Sequence, residues 1–277
     1  MGFYFQRVSF HNTMNALFET SKIDGCFSSA TPFPHLIIDD VLPQETLDAV
    51  SAEFGDPTTD PHWKRYWNPL EKKYALNTFV GKPATQALFQ ELQSDDTVRR
   101  LSLLTGIPNL QADTHLHGAG LHYHPRGGKL DMHLDYSVHP ISGLERKINL
   151  IIYLNDTWEE SWGGALELWD SEFTHAAKTI LPVRNRGVLF RTNDISYHGL
   201  PHPISCPDTT GRKSLAVYYV APISETSPTL RTKAEFRPLP NQPIDTRLAQ
   251  LYAIRKTRLL TPEDLWDTWE TDGHGFW

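Results

Sequence analysis

The stretch KINLIIYLN at residues 147–155 is apolar at almost every position. A short apolar run of this kind predicts a strand that is buried on both faces, near the centre of a sheet. Seven further strand-like runs lie between residues 110 and 222, separated by clusters of Gly, Pro, Asn and Asp. Eight such runs favour a double-stranded β-helix, or jelly roll. We place the strands at Asp113–His117, Gly120–His124, Lys129–Tyr136, Lys147–Asn155, Ala165–Asp170, Thr179–Val183, Gly187–Thr192 and Lys213–Ala221.

The regions on either side of this core show helical periodicity. Residues 1–109 contain a predicted strand and a long surface loop at residues 55–74, whose segment Trp63–Trp67 is interpreted as a lid over a pocket. We therefore predict an α+β protein with a mainly β core at residues 110–222. Residues 1–109 would form a supporting N-terminal region, and residues 223–277 a C-terminal helical extension packed on the core. The flanking elements are predicted at Phe33–Asp39, Pro43–Phe54, Ala84–Leu92, Asp95–Leu104, Asp245–Arg258 and Pro262–Trp269.

The composition excludes several classes of protein. The 277 residues are 39% hydrophobic and 21% charged, which is typical of a globular protein with a real core. The net charge of −7 argues against nucleic-acid binding, which usually requires a basic face. Cys26 and Cys206 form no CxxC motif, and this excludes a disulfide framework and a cysteine zinc site. We find no membrane-span or secretory-signal pattern, so we expect a cytoplasmic protein, whose oligomeric state the sequence does not indicate.

A polar face is predicted on the strand that contains Leu130–Asp135. Apolar residues alternate there with Asp131, His133 and Asp135. Residues i and i+2 on a strand project from the same face, so His133 and Asp135 can reach one metal ion together. An HxD triplet occurs by chance in a chain of this composition, and a solvent-facing polar stripe is an alternative that this window leaves open.

A third metal ligand is best supplied by His198, which follows an apolar strand and a turn. His202 is the alternative, although it lies between two prolines in a turn-like setting. Two imidazoles and one carboxylate form the facial triad that suits iron(II) with open coordination positions. A zinc hydrolase can use the same ligand types, so the triad alone does not define the chemistry.

A pocket for a carboxylate is indicated by two other strands. Arg212 and Ser214 share one face of the last core strand, and Lys213 points to the other. An arginine directed into a barrel requires an anionic partner, and its planar guanidinium binds a carboxylate with two hydrogen bonds. Asn149 and Tyr153 share one face of the central strand, so a tyrosine hydroxyl beside Arg212 would complete the pocket.

With these residues in order, the sequence resembles the 2-oxoglutarate- and iron(II)-dependent oxygenases, in the prolyl-4-hydroxylase-like branch. The resemblance covers residues 110–222 well and residues 33–40 weakly. One departure is a long interval between His198 and Arg212, which predicts an extended loop at residues 206–210. The matching motifs are Tyr123 ten residues before His133, the HLD triplet, Tyr153-Leu154-Asn155 followed by Trp158 and Gly163-Gly164, Phe190 eight residues before His198, and Arg212-x-Ser214.

The resemblance implies a hydroxylase with Fe(II) as cofactor and 2-oxoglutarate and O2 as cosubstrates. It allows ascorbate as a reductant. The products besides the hydroxylated substrate would be succinate and CO2. The implied catalytic iron ligands are His133, Asp135 and His198. The implied residues of the cosubstrate pocket are Arg212, Tyr153, Tyr123, Ser214 and Asn149.

The substrate class stays open between a protein or peptide, hydroxylated at a residue such as proline, and a small molecule. A non-catalytic cupin-like metal-binding module is disfavoured, because such a module needs no cosubstrate anchor like Arg212. The net charge disfavours a nucleic-acid demethylase. Four further histidines lack a carboxylate or a downstream histidine to complete a second metal site, and we interpret them as structural: His115, His117, His122 and His124.

Overall fold

The computed structural model describes residues 25–224 and 229–265. Its helices are α1 (Gln44–Glu53), α2 (Pro83–Leu92), α3 (Asp95–Thr105), α4 (Thr246–Arg255) and α5 (Pro262–Leu265). Its strands are β1 (His35–Ile38), β2 (Lys64–Asn68), β3 (Glu71–Leu76), β4 (Gln111–Ala112), β5 (Gly120–Pro125), β6 (Lys129–Leu134), β7 (Glu145–Tyr153), β8 (Leu166–Trp169), β9 (Ala176–Ile180), β10 (Gly187–Arg191), β11 (His198–Leu200), β12 (Gly211–Ala221) and β13 (Glu235–Phe236).

All thirteen strands belong to one curled antiparallel sheet. Its main path runs β1-β10-β7-β12-β5-β3-β6-β11-β8-β9. Strand β3 pairs with both β5 and β6 and so joins the two halves of the sheet. The sheet has the form of a half-barrel with helices packed outside it, which confirms the predicted jelly-roll core with supporting helices.

The central strands β7 and β12 separate the hydrophobic core from a polar interior. Alternate residues on one face, such as Leu150 of β7 and Val217 of β12, pack in the core cluster that also contains the apolar side chains of α1, α2 and α3. The Tyr219 hydroxyl donates a hydrogen bond to the backbone oxygen of Leu92 and fixes α2 to this face. The opposite face carries Tyr153 and Ser214, which are register partners. The burial of both faces explains why KINLIIYLN is almost continuously apolar.

The predicted long loop at residues 55–74 is wrong in its second half. There β2 and β3 form a hairpin, and β3 enters the sheet. Trp63 is buried against Phe54, with ring centroids 5.1 Å apart, so it belongs to the core and not to a lid. The hairpin was missed because four of the residues between 64 and 73 are Lys or Arg, which are untypical of a strand.

The predicted strand Asp113–His117 is also wrong, because only Gln111–Ala112 pairs with β12. The Asp113 carboxylate accepts hydrogen bonds from the backbone N–H groups of His115 and His117 and holds the following residues in a turn. Aspartate commonly stabilises turns in this way. The other predicted core strands agree with the structure to within a few residues.

Described elements of the C-terminal segment contact strand β6. Strand β13 pairs with β6, with Phe236 opposite His133. The Tyr252 hydroxyl of α4 donates a 2.6 Å hydrogen bond to the Asp131 carboxylate. The predicted helix end at residues 266–269 and the N-terminal residues 1–24 lie outside the described residues. None of the helices in the described part of the chain is both long and apolar enough to cross a bilayer.

Candidate metal centre

His133, Asp135 and His198 come together at one point on the inner face of the sheet. The pairing of β6 with β11 places His198 directly opposite His133. Each residue offers one ligand atom, and the three atoms lie within 4.8 Å of one another. The Nε2 atoms of His133 and His198 each lie 3.6 Å from an Asp135 carboxylate oxygen. The predicted triad is therefore assembled, with all three side chains buried.

The two imidazoles are held with their Nε2 atoms directed toward the centre. Nδ1 of His133 lies 2.9 Å from the backbone oxygen of Asp131, and Nδ1 of His198 lies 2.9 Å from that of Ser196. A proton on each Nδ1 leaves the Nε2 lone pair free for a metal ion, which is the usual arrangement of metal-binding histidines. The donor set therefore fits a divalent cation such as Fe(II).

The Asp135 carboxylate is held in its charged form. Burial alone would raise the pKa of this carboxyl, but Arg146 and the two imidazoles outweigh that effect and hold its pKa well below the usual range. Arg146 Nη2 lies 3.1 Å from Asp135 Oδ2, and Asn149 Nδ2 donates to the same oxygen at 3.4 Å. Asn149 was predicted in the cosubstrate pocket, and the structure places it beside Asp135.

Arg146 is a site residue that the sequence analysis missed. It is only 2% exposed, and its guanidinium lies 3.2 Å from the centroid of the Tyr218 ring. The Tyr136 ring lies on it as well, at 4.7 Å. Two aromatic faces and one carboxylate thus compensate a buried cation. The only sequence signal was a charged residue at the start of the most apolar strand.

Arg212, which was predicted to anchor the cosubstrate, lies on the same inner face. Arg212 is buried; its Nε donates to the Gly164 backbone oxygen at 2.8 Å, and its Nη2 donates to the Tyr153 hydroxyl at 3.2 Å. Ser214 is buried opposite Tyr153. Arg212, Ser214 and the triad line one cavity of about 350 Å³. Among the residues that the structure describes, no carboxylate pairs with Arg212, and a guanidinium in such a cavity is suited to bind an anionic ligand.

Tyr123 does not lie in this pocket, contrary to the prediction. It is the register partner of Lys213, so it occupies the opposite face of the sheet and packs on Phe54 and Tyr74. Its neighbour His124 is the partner of Arg212 and lines the cavity. His124 is 2% exposed, and neither of its ring nitrogens has a hydrogen-bond partner among the described residues. His122 also lines the cavity, opposite Ser214.

The other predicted histidines are not part of the triad, although His117 lines the same cavity. His115 and His117 lie near the buried His139, with ring centroids 5.6 and 5.7 Å from its own. His139 Nδ1 accepts from two backbone N–H groups, and its Nε2 lies 3.1 Å from Asp113. His202 is exposed, with Nε2 3.9 Å from Glu167. The structure brings His198, and not His202, to the HxD pair.

Folding of the metal-free protein should depend on histidines that stay neutral in the cavity. Burial lowers the pKa of His122 to about 3 and that of His198 to about 4. Unfolded histidine titrates near pH 6.5, so between about pH 5 and 6.5 only the unfolded state gains these protons. The stabilisation is present above pH 6.5 and is lost as the pH falls, by up to about 1.4 kcal/mol per pH unit for each histidine.

Urea denaturation of the metal-free protein over this pH range would measure the effect. The His122→Gln variant should show a shallower dependence, by about one proton. An equal slope in the variant and the parent protein would contradict the neutral state of the half-buried His122.

Residues 119–220 match the family model described as "2OG-Fe(II) oxygenase superfamily". A curated relative, prolyl 3-hydroxylase OGFOD1 of Mus musculus, is 28% identical over 88 residues. That match covers 30% of this chain and 16% of the mouse protein, so the chain corresponds to only a small part of this relative.

Several solved structures share the fold. A Pseudomonas putida prolyl-4-hydroxylase aligns over 69% of this chain and 93% of its own, with a TM-score of 0.51 and 15% identity. A Trichoplax adhaerens prolyl hydroxylase, solved with a hypoxia inducible factor peptide fragment, covers 68% and 83% at a TM-score of 0.51 and 18% identity. The family match and the assembled residues agree: residues 119–220 are similar to the 2OG-Fe(II) oxygenase superfamily, and they carry the His-Asp-His cluster on a prolyl-4-hydroxylase-like fold.

Proposed function

We propose that the protein is an Fe(II)- and 2-oxoglutarate-dependent dioxygenase that hydroxylates a C–H bond. The observation that carries this proposal is the common cavity, in which the free Nε2 atoms and the Asp135 carboxylate face the space beside Arg212. A metal-binding module without turnover would not require the buried guanidinium.

In this proposal His133, Asp135 and His198 hold the iron. When bound, iron would allow O2 to oxidise both 2-oxoglutarate and the substrate: one oxygen atom would enter succinate, with release of CO2, and the other would form the hydroxyl group of the product. Arg146 and Asn149 keep Asp135 charged and oriented. Phe236 stacks on the His133 ring at a centroid distance of 5.0 Å and lines the same cavity, so it would add an apolar surface beside that ligand.

Arg212 and Tyr153 would bind the distal carboxylate of 2-oxoglutarate, with Ser214 beside them. The neutral His124 ring can present an N–H group to the same ligand, because it lies next to Arg212 and its nitrogens have no hydrogen-bond partner in the described part of the chain. Burial lowers the pKa of His124 well below its ordinary value, so the ring adds a donor but no charge.

We further propose a protein or peptide substrate that is oxidised at proline. The names of the mouse relative and of the structural neighbours support this choice. Residues 110–222 would form the catalytic domain, and residues 1–109 and 223–277 would supply the outer walls of its cavity. Ascorbate would sustain turnover as a reductant. A cytoplasmic location is supported by the free thiols of Cys26 and Cys206, since reducing compartments keep thiols unpaired.

The proposal is tested by measuring succinate formed from 2-oxoglutarate in the presence of Fe(II), ascorbate and a cell extract. The extract is divided into a protein fraction and a small-molecule fraction. We expect stimulation by the protein fraction only. Stimulation by the small-molecule fraction alone would contradict the peptide substrate. The dioxygenase activity would be contradicted if neither fraction led to succinate formation, or if succinate formed equally well without iron.

A further inference from the structure

Four cationic side chains line the cavity from outside the family core of residues 119–220. Lys64 and Lys73 lie on the β2–β3 hairpin, Lys233 lies just before β13, and Arg255 ends α4. The predicted cosubstrate machinery lies within residues 119–220. These four cations therefore lie on segments outside the family core. Such segments vary most between enzymes that share a fold, and they commonly contact the substrate.

The four cations have few acidic partners. The Glu71 carboxylate, 3% exposed, is shared between Lys73 at 3.2 Å and Arg255 at 3.8 Å. The side chains of Lys73 and Arg255 are only 16% and 10% exposed, so solvation alone does not compensate both charges. Within the described residues, neither Lys64 nor Lys233 lies within 4.0 Å of a carboxylate.

The cavity as a whole carries an excess of positive charge. Its lining contains six Lys and Arg side chains but only two acidic ones, Glu71 and Asp135, an excess of four. An iron(II) ion and a 2-oxoglutarate dianion would cancel each other and leave this excess unchanged. The whole chain has a net charge of −7, so the cavity differs in sign from the rest of the molecule. Such a concentration of one charge attracts a ligand of opposite charge.

We propose that the primary substrate carries an anionic group, a carboxylate or a phosphate, which Lys64, Lys73, Lys233 and Arg255 bind beside the oxidised C–H bond. This inference rests on the proposed dioxygenase function and names its substrate class. The anionic group can come from an acidic residue next to the oxidised residue of a peptide, or from a small free acid. Both sources present the same chemistry to the cavity.

The test uses the full chain loaded with Fe(II) and 2-oxoglutarate without oxygen. Binding is measured by fluorescence anisotropy for three labelled peptides of equal length, in which a proline is flanked by Glu, by Gln or by Lys. Citrate and inorganic phosphate are titrated separately by calorimetry. We expect the Glu peptide to bind about tenfold more tightly than the Gln peptide, and this preference should weaken as NaCl rises from about 50 to about 300 mM.

The double variant Lys64→Gln/Lys233→Gln should lose most of the Glu-over-Gln preference. Lys178→Gln is the matched control, because Lys178 is exposed on β9 and does not line the cavity. A second outcome is that all three peptides bind weakly while citrate or phosphate still binds. If the double variant then loses this anion binding and Lys178→Gln keeps it, the result supports a small free acid as the substrate. Equal binding of the three peptides without such anion binding, or preferences unchanged in the double variant, would overturn the inference.

The absorption spectrum of the loaded wild-type protein, recorded before any peptide is added, separates this inference from the proposed function. Failure to bind Fe(II) and 2-oxoglutarate would count against the dioxygenase. Normal loading without a charge preference would count against the anionic substrate alone.

Discussion

Replacing His198 with alanine is expected to weaken Fe(II) binding by more than about 100-fold, since one of three protein ligands is lost. The imidazole supplies an Nε2 atom 3.6 Å from Asp135, with its Nδ1 fixed by the Ser196 backbone oxygen. No other histidine or acidic side chain in the described chain joins this cluster, so no nearby group would replace it. Calorimetric titration of the metal-free protein with Fe(II) under anaerobic conditions measures the change.

His202→Ala is the matched control, because this histidine was the alternative third ligand in the sequence and is exposed in the structure. Its Fe(II) affinity should equal that of the wild-type protein. Loss of iron in His202→Ala together with retention in His198→Ala would show that the third ligand is assigned to the wrong residue.

Arg212→Ala is expected to raise the dissociation constant of 2-oxoglutarate by about 100-fold, since a buried charged hydrogen-bonding partner contributes roughly 2–5 kcal/mol. Fe(II) affinity should change little, because Arg212 contacts Tyr153 and Gly164 and not the triad. Binding of 2-oxoglutarate to the Fe(II)-loaded protein can be followed by absorption spectroscopy without oxygen.

Two further variants show whether a loss of 2-oxoglutarate binding is due to the missing guanidinium or to misfolding. Lys213→Ala changes the adjacent residue, whose side chain lies on the opposite face with Tyr123, and should leave 2-oxoglutarate affinity intact. Arg212→Lys keeps the charge but loses the planar guanidinium, and we expect an intermediate affinity. The anchor assignment fails if a folded Arg212→Ala variant binds 2-oxoglutarate as the wild-type protein does.

The parts of the fold that were predictable from the sequence are those with a clear hydrophobic pattern. Strand β7 is apolar throughout because both of its faces are buried. In β6 and β12, alternation correctly put His133 with Asp135 and Arg212 with Ser214, because side chains on a strand change face at every residue. The helices α1, α2 and α3 were found because their apolar residues repeat at helical spacing.

The β2–β3 hairpin was not predictable, because one partner of its buried carboxylate comes from a distant segment of the chain. Glu71 and Lys73 read as solvent-exposed in the sequence, yet Glu71 is buried against Arg255 of the C-terminal extension. Arg146 was missed for a similar reason, since its aromatic and acidic neighbours come from other segments. Only the assembled fold shows the partners of Glu71 and Arg146.

The position of Tyr123 shows how an error of one residue assigns a side chain to the wrong face of a strand. Spacing to His133 favoured Tyr123, whereas the register with β12 puts His124 beside Arg212 and Tyr123 on the other face. A one-residue shift always exchanges the two faces of a strand. Sequence spacing therefore located the correct strand but not the residue that faces the cavity.

The most direct test of an iron and 2-oxoglutarate site is the visible absorption of the protein with Fe(II) and 2-oxoglutarate under anaerobic conditions. Chelation of the cosubstrate by iron in this site should give a weak charge-transfer band. The band should be absent in His133→Ala and His198→Ala and present in His202→Ala. A band that persists in His133→Ala, or that never forms in the wild-type protein, would contradict the assignment of His133, Asp135 and His198 as the iron ligands.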